Sequence, residues 1–293
     1  MRIVFIGCVL FSKKMLEKLI SLQAQVVGVV TKEASSFNSD FEDLSTIAKE
    51  SQIPYRYVQN INAASNIEWI QQLKPQIIFC FGWSNLIKKE LLNLTPLGVI
   101  GFHPSLLPQN RGRHPLIWAK ALGLKKSGTT FFFMDEGADS GDILDQKEFE
   151  IDFGDDASVL YTKMVLNACW QLDFFLPKLQ SNTYSRIKQP KMSNTWRKRT
   201  RQDGQIDFRM TNENICNLVR ALSRPYAGAH CIFNGDEKKV WQVEIGDSEI
   251  DNFEPGKVLE IKDKSIRVKT ANGSIWLQKH ELLPLLNVGA YIK

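Results

Sequence analysis

Between Val99 and Leu144 the chain reads V-I-G-F-H-P-S-L-L-P-Q-N-R-G-R-H-P-L-I-W, then a helical segment, then T-T-F-F-F-M-D-E-G-A-D-S-G-D-I-L. The first apolar run ends on His103 and Pro104 stops it, which predicts an imidazole at a strand end, near the rim of a sheet. Histidine is the side chain suited to moving a proton near neutral pH. The second run ends in Asp135, Glu136, Asp139 and Asp142, punctuated by Gly137 and Gly141. Acids in a glycine-rich loop are turn formers or, where one reaches a histidine, the carboxylate that orients it for acid–base work. Between the runs, Arg111 and Arg113 flank Gly112. Their guanidinium groups either point from a tight turn at an anionic ligand or clamp the acidic loop. His114, before Pro115, reads either as a helix-entry residue or as a second ring at the site.

The elements that must hold these residues alternate. Ile3 to Cys8 is an apolar run followed by a helical pattern through Met15, Leu16, Leu19 and Ile20, the opening of an α/β unit. Ala24 to Val30, Gln76 to Trp83 and Gly98 to Phe102 read as further buried strands. Leu44 to Glu50, Ala63 to Leu73, Asn85 to Leu92 and Asp156 to Leu179 read as helices. The pattern predicts a Rossmann-like, doubly wound, mostly parallel sheet, in which ligands gather beyond the carboxyl ends of the strands. The first strand is followed by a single glycine where a dinucleotide fingerprint needs three, which argues against NAD. Tyr184 to Gly204 is polar and basic, with the profile of a linker. After a helix over Asn212 to Leu222, short runs alternate with Asn234-Gly235, Pro255-Gly256 and Asn272-Gly273, predicting a small antiparallel, OB-like β-barrel. The expected division is a catalytic domain at 1–183, a linker at 184–209 and the barrel at 210–293.

With 293 residues, 43% apolar and 24% charged, the chain suits a globular protein with a sizeable core rather than a disordered one. A net charge of +5 is too mild and dispersed to argue for nucleic acid, and the dense run Arg197 to Arg201 reads as a solvated linker. The five cysteines include no C-x-x-C pair and read as reduced core thiols, so no metal is expected. The N-terminus lacks a signal-peptide pattern, and no run approaches the roughly 18 apolar residues of a membrane span. A cytoplasmic location, with no membrane partner, is expected.

H-P-S-L-L-P-x-x-R-G-x-x-P-L-x-W followed by M-D-E-G-A-D-S-G-D-I-L resembles the folate-dependent formyltransferases, which use 10-formyltetrahydrofolate and include methionyl-tRNA and sugar N-formyltransferases. F-G-W-S-N-L-I at Phe81 to Ile87 and R-x-x-D-G-x-I-D-F at Arg201 to Phe208 extend the likeness over most of the chain. The resemblance implies His103 and Asp139 as catalytic residues and places the folate against Phe81, Gly82, Trp83, Leu86, Ile87, Asp135, Glu136, Gly137 and Ala138. It implies substrate contacts from Ser105, Asn110, Arg111, Gly112, Arg113 and His114, with Lys13 a further cation for phosphates. The family's catalytic asparagine, whose carboxamide helps hold the formyl oxygen as charge develops on it, is Gly101 here. Its role then falls to Asn110, Ser105, His114, a backbone N–H or a water, or the protein is slow or inactive.

Among acceptors, tRNA is expected to need a basic insertion after the second strand, whereas T-K-E-A-S-S-F-N-S-D-F-E-D is net acidic. The expectation is therefore a UDP- or dTDP-linked amino-deoxy sugar for a surface glycan, without nucleic acid. Methionyl-tRNA formyltransferase is the alternative, and a formyl-folate hydrolase or a non-catalytic binding protein stands behind it. The resemblance also implies a homodimer, although no exposed stripe in the sequence marks an interface.

Overall fold

The computed structural model describes all residues except 36–38, 248–251 and 284–285, so part of the acidic loop after the second strand lies outside the described residues. In chain order the first elements are β1 (Ile3–Ile6), α1 (Leu10–Ser21), β2 (Val26–Thr31), α2 (Ser45–Glu50), β3 (Tyr55–Tyr57), α3 (Ala64–Gln72), β4 (Ile77–Cys80), α4 (Lys89–Leu92) and β5 (Val99–His103). The two-residue β6 (Arg111–Gly112), α5 (Pro115–Ala121), β7 (Lys126–Phe133), β8 (Ile143–Glu150), α6 (Ala157–Gln180) and β9 (Thr195–Trp196) follow. The last are α7 (Asn212–Ala221), β10 (Ala229–Phe233), β11 (Asp236–Ile245), β12 (Val258–Lys262), β13 (Ser265–Lys269) and β14 (Ser274–His280). The chain forms two compact units. One comprises Met1–Gly112, Ser127–Phe149 and Thr162–Trp196; the other comprises Arg113–Lys126, Glu150–Tyr161 and Arg197–Lys293.

The first unit is built on the expected sheet, with seven strands in the order β3-β2-β1-β4-β5-β7-β8. The pairs from β3 across to β5 are parallel, and β7 runs antiparallel to β5. Strand order reverses between β1 and β4, whose residues are all buried, as unbroken apolar runs require when both sheet faces are covered. Phe5, Phe79, Phe81, Phe131 and Phe175 form the aromatic core, with Phe81 stacked 5.2 Å from Phe79 and edge-on to Phe131. Beyond β4 the expected helix over Asn85 to Leu92 shrinks to Lys89–Leu92. Asn62 takes up the backbone instead: its Nδ2 donates to the Leu86 carbonyl and its Oδ1 accepts from Lys88 N–H, both at 2.8 Å. Helix α6 leaves Leu166, Trp170 and Phe174 exposed one turn apart, a stripe the sequence reading did not find.

The second unit holds the antiparallel five-stranded sheet β10-β11-β14-β13-β12. Asn234 and Gly235, at φ 52° and 85°, make the tight turn that pairs Phe233 with Asp236. The residues at Ala290 to Lys293 close the sheet on itself. Lys293 N–H donates to the Ile232 carbonyl on β10 (2.9 Å), while the Ala290 carbonyl accepts from Val258 at the start of β12 (2.8 Å). Within the segment read as a linker, Thr195–Trp196 pairs with β6, and Ile206 and Phe208 are buried in the core of the second unit.

Glu237 on β11 receives Lys239, Arg201 and, at 3.7 Å, His230. Lys239 first, then Arg201, holds its carboxyl down at about 2, from 4.5. A lowered carboxyl contributes stability that is complete above the unfolded value and is lost as pH falls through the folded one. Glu237→Gln is therefore expected to flatten the fall in melting temperature between about pH 4.5 and 2. An unchanged slope would show that the cluster adds nothing.

Candidate active site

Strand β5 ends on His103, whose side chain lies on the same face as Gly101, two residues earlier, while Phe102 turns to the other face and stacks on Phe11 at 4.0 Å. The ring is buried, with 5% exposed. Its Nε2 lies 2.8 Å from the Asn110 carbonyl, an acceptor only, so Nε2 carries the hydrogen and donates it. The other nitrogen, Nδ1, faces Asp139 Oδ2 at 3.6 Å. The sequence-predicted pair is thus brought together from the end of one strand and the loop after the next.

Two loops hold the pair. Asp139 is left-handed, at φ 54°, a conformation in which aspartate is tolerated, and its Oδ2 accepts the Gly112 N–H at 3.0 Å. Gly112, at φ 93°, is where a glycine is required: a Cβ there would stand 2.3 Å from the Trp196 carbonyl. Asn110, also left-handed at φ 61°, exchanges two 2.8 Å hydrogen bonds with the Asn194 side chain. Arg111 donates through Nη2 to Gln189 Oε1 (2.6 Å) and through Nη1 to Ser193 (3.2 Å). Its guanidinium thus ties Gln189 and Ser193 to this loop rather than pairing with the acidic loop's carboxylates. Gln189, Ser193 and Asn194 are missed by sequence reasoning, because a polar, basic stretch carries no periodicity to mark them.

The space over Gly101 is apolar. A Cβ there would lie 2.8 Å from Met134 Cγ and 3.0 Å from Phe132 Cζ, on the neighbouring strand and the residue just past it. Neither side chain offers a hydrogen-bond donor in place of the asparagine. Ser105, a proposed substitute, is buried and donates to the Gln109 carbonyl at 2.8 Å.

The other expected site residues divide. Phe81 is fully buried with its ring in the aromatic core, so what it can offer a ligand is its backbone. Ile87 is buried too, whereas Leu86 is 71% exposed. Gly82 is left-handed at φ 70°, and Trp83 Nε1 is buried without a hydrogen-bond partner. Asp135 accepts from Gly137 N–H and Ser140 Oγ as a turn former, Glu136 pairs with Lys89 at 3.1 Å, and Ala138 is exposed. Lys13 pairs with Glu42 at 3.3 Å.

Arg113 and His114 belong to the second unit. There His114 is left-handed at the start of α5, and burial, then Arg199 and Arg113, push its ring below the usual histidine range. Two of the four cations in the basic run pair with acids within the same unit. Arg197 makes a two-pronged pair with Asp203, whose carboxyl it holds well below the usual range, and Arg201 pairs with Glu237. Among the described residues, no helix is long and apolar enough to cross a membrane.

The fold is that of an α/β protein, with the His103–Asp139 pair at the end of its sheet. A family described as formyl transferase matches residues 1–170, and its C-terminal domain matches residues 198–283. The chain belongs to the formyl transferase family. It is 30% identical over 287 residues to methionyl-tRNA formyltransferase of Desulforamulus reducens, covering 96% of this chain and 90% of that protein. It is 32% identical over 263 residues to the bifunctional polymyxin resistance protein ArnA of Wigglesworthia glossinidia brevipalpis, covering 86% of this chain but 40% of that protein. Among solved structures, WlaRD, a sugar 3N-formyl transferase in the presence of dTDP and 5-N-formyl-THF, matches with a TM-score of 0.71 at 20% identity. That match covers 95% of this chain and 97% of that one, and at this identity the likeness is one of fold.

Proposed function

We propose that this chain transfers the formyl group of 10-formyltetrahydrofolate to the amine of a UDP- or dTDP-linked amino sugar, in the cytoplasm, for a surface glycan. The observation that carries the chemistry is the His103–Asp139 pair, with Nε2 tethered and Nδ1 turned to the carboxylate. The loop after β4 carries two features that suit a flat heteroaromatic ring, an exposed Leu86 and, three residues earlier, a Trp83 indole N–H that lacks an acceptor. The folate supplies an activated formyl group. As the acceptor nitrogen bonds to the formyl carbon, the bond from that carbon to N10 of the folate breaks, and the amine proton must reach N10. His103 Nδ1 and Asp139 hold that proton in transit, and the buried setting of the ring limits its loss to water.

Two observations support a sugar over tRNA: the net acidic sequence between Thr31 and Asp43, and the pairing of Arg197 and Arg201 of the basic run with Asp203 and Glu237. The fold neighbour WlaRD adds the same direction. The tRNA reading draws on sequence, since a methionyl-tRNA formyltransferase aligns along nearly the whole chain. The deciding assay incubates the protein and 10-formyltetrahydrofolate with a panel of UDP- and dTDP-amino sugars, and separately with methionyl-tRNA. Mass spectrometry is expected to find one added formyl group on a sugar. Formyl-methionyl-tRNA alone would reverse the choice, and free formate without any acceptor would mark a hydrolase. With the active acceptor, Asp139→Ala is expected to lower kcat by about 10²-fold or more; near-normal turnover would remove Asp139 from the mechanism.

A further inference from the structure

We infer that Gln189 is a positioning residue for Asp139, a role that rests on the catalytic reading of His103 and Asp139. Between Ser185 and Thr195 every residue is exposed except Gln189, which is half-buried against the two loops that frame the pair. Its carboxamide is used completely. Nε2 donates to the Asp139 carbonyl at 2.9 Å and to the Gly141 carbonyl at 2.7 Å, while Oε1 accepts from Arg111 Nη2 at 2.6 Å and Nε at 3.3 Å. One side chain therefore joins the loop carrying the carboxylate to the loop carrying both of the pair's backbone partners. These are the Asn110 carbonyl that takes His103 Nε2–H and the Gly112 N–H that binds Asp139 Oδ2.

The arrangement explains how a left-handed Asp139 stays in place. Its carboxylate is held by Gly112 and its backbone carbonyl by Gln189, so a side-chain rotation away from Nδ1 breaks the first contact and a shift of the loop that carries it breaks the second. Arg111 fixes the orientation of the amide, because only the oxygen can face a guanidinium and the nitrogen must then face the two carbonyls. Gln189→Glu keeps the Arg111 contact but sets a carboxylate against two carbonyl oxygens. Gln189→Met keeps the size and removes every polar contact.

The test measures kcat, KM and the pH–rate profile for Gln189→Met and Gln189→Glu, alone and in an Asp139→Asn background, with melting temperatures for each. Misplacement of a catalytic group by about 1 Å can cost about 100-fold in rate. Each single variant is expected to lose kcat on the order of 10- to 100-fold, with KM for the folate little changed and the pH profile displaced. In the Asp139→Asn background the Gln189 changes are expected to add almost nothing, since residues that act through one group are not additive. Wild-type kcat and pH profile in Gln189→Met, or a full multiplicative loss on top of Asp139→Asn, would overturn the role. A normal rate in Asp139→Asn alone would instead sink the catalytic reading itself. If Gln189→Met does not fold, Gln189→Glu decides the matter, and Arg111→Gln, which frees the amide to flip, gives an independent displacement of the same profile.

Discussion

Replacing His103 by alanine is expected to lower kcat for formyl transfer by about 10²- to 10⁴-fold, while folate binding, followed by tryptophan fluorescence, stays near normal. The size follows from how the ring is held. It is buried at the end of β5, tethered through Nε2, and presents a single nitrogen to Asp139. Alanine removes the ring that faces that carboxylate and leaves the Asn110 carbonyl to water. The backbone of β5 does not depend on the ring, because its pairing with β4 and β7 is made by main-chain atoms. Stability should therefore change far less than rate. A variant that turned over at the wild-type rate would require the proton to travel by another route.

Gly101→Asn, which installs the asparagine that the resemblance places at this position, is expected to harm this protein rather than improve it. The added Cβ alone meets Met134 and Phe132 within 3.0 Å, and a carboxamide must then be buried among apolar side chains. Overpacking of this kind costs about 1–3 kcal/mol, and an unsatisfied buried amide about 1–3 kcal/mol more. At roughly 2–4 °C per kcal/mol for domains of 150–250 residues, a drop in melting temperature of several degrees should be read directly by calorimetry. Met134→Ala in the same chain, which removes the nearest contact, is expected to recover part of it. A Gly101→Asn protein that melted normally and turned over faster would show that the strand can make room, and that only the donor was lacking. The missing carboxamide is thus coupled to its neighbours: Phe132 and Met134 fill the volume it would need.

The reach of the sequence differed by position. His103 was legible because a proline immediately after an apolar run marks a strand end, and strand ends carry sites in this architecture. Asp139 was legible as an acid in a glycine-punctuated loop, and the match to a family selected it from its neighbours. At Phe81 the sequence of the loop does not say which way the side chain turns. Its ring completes the aromatic core, so the backbone, rather than the ring, is at the sheet's end. The helix expected over Asn85 to Leu92 failed for a similar reason. Asn62, more than 20 residues earlier in the chain, supplies the hydrogen bonds that the helix would have made.

By itself the sequence determined the alternating strands and helices, the antiparallel C-terminal strands with their Asn-Gly turn, and the strand end that carries His103, while Asp139 was singled out by the likeness to a family. The first three depend on periodicity, on turn chemistry and on residue type, all of which are local. The tertiary structure decided how the pair is held. Asn194, Gln189 and Arg111 meet because a stretch with no pattern of its own folds back against residues about 50 to 80 positions away. Hydrogen bonds between such segments leave no period in either one. The same holds over Gly101: only the pairing of β5 with β7 brings Phe132 across from it, with Met134 following, and turns a missing side chain into a filled space.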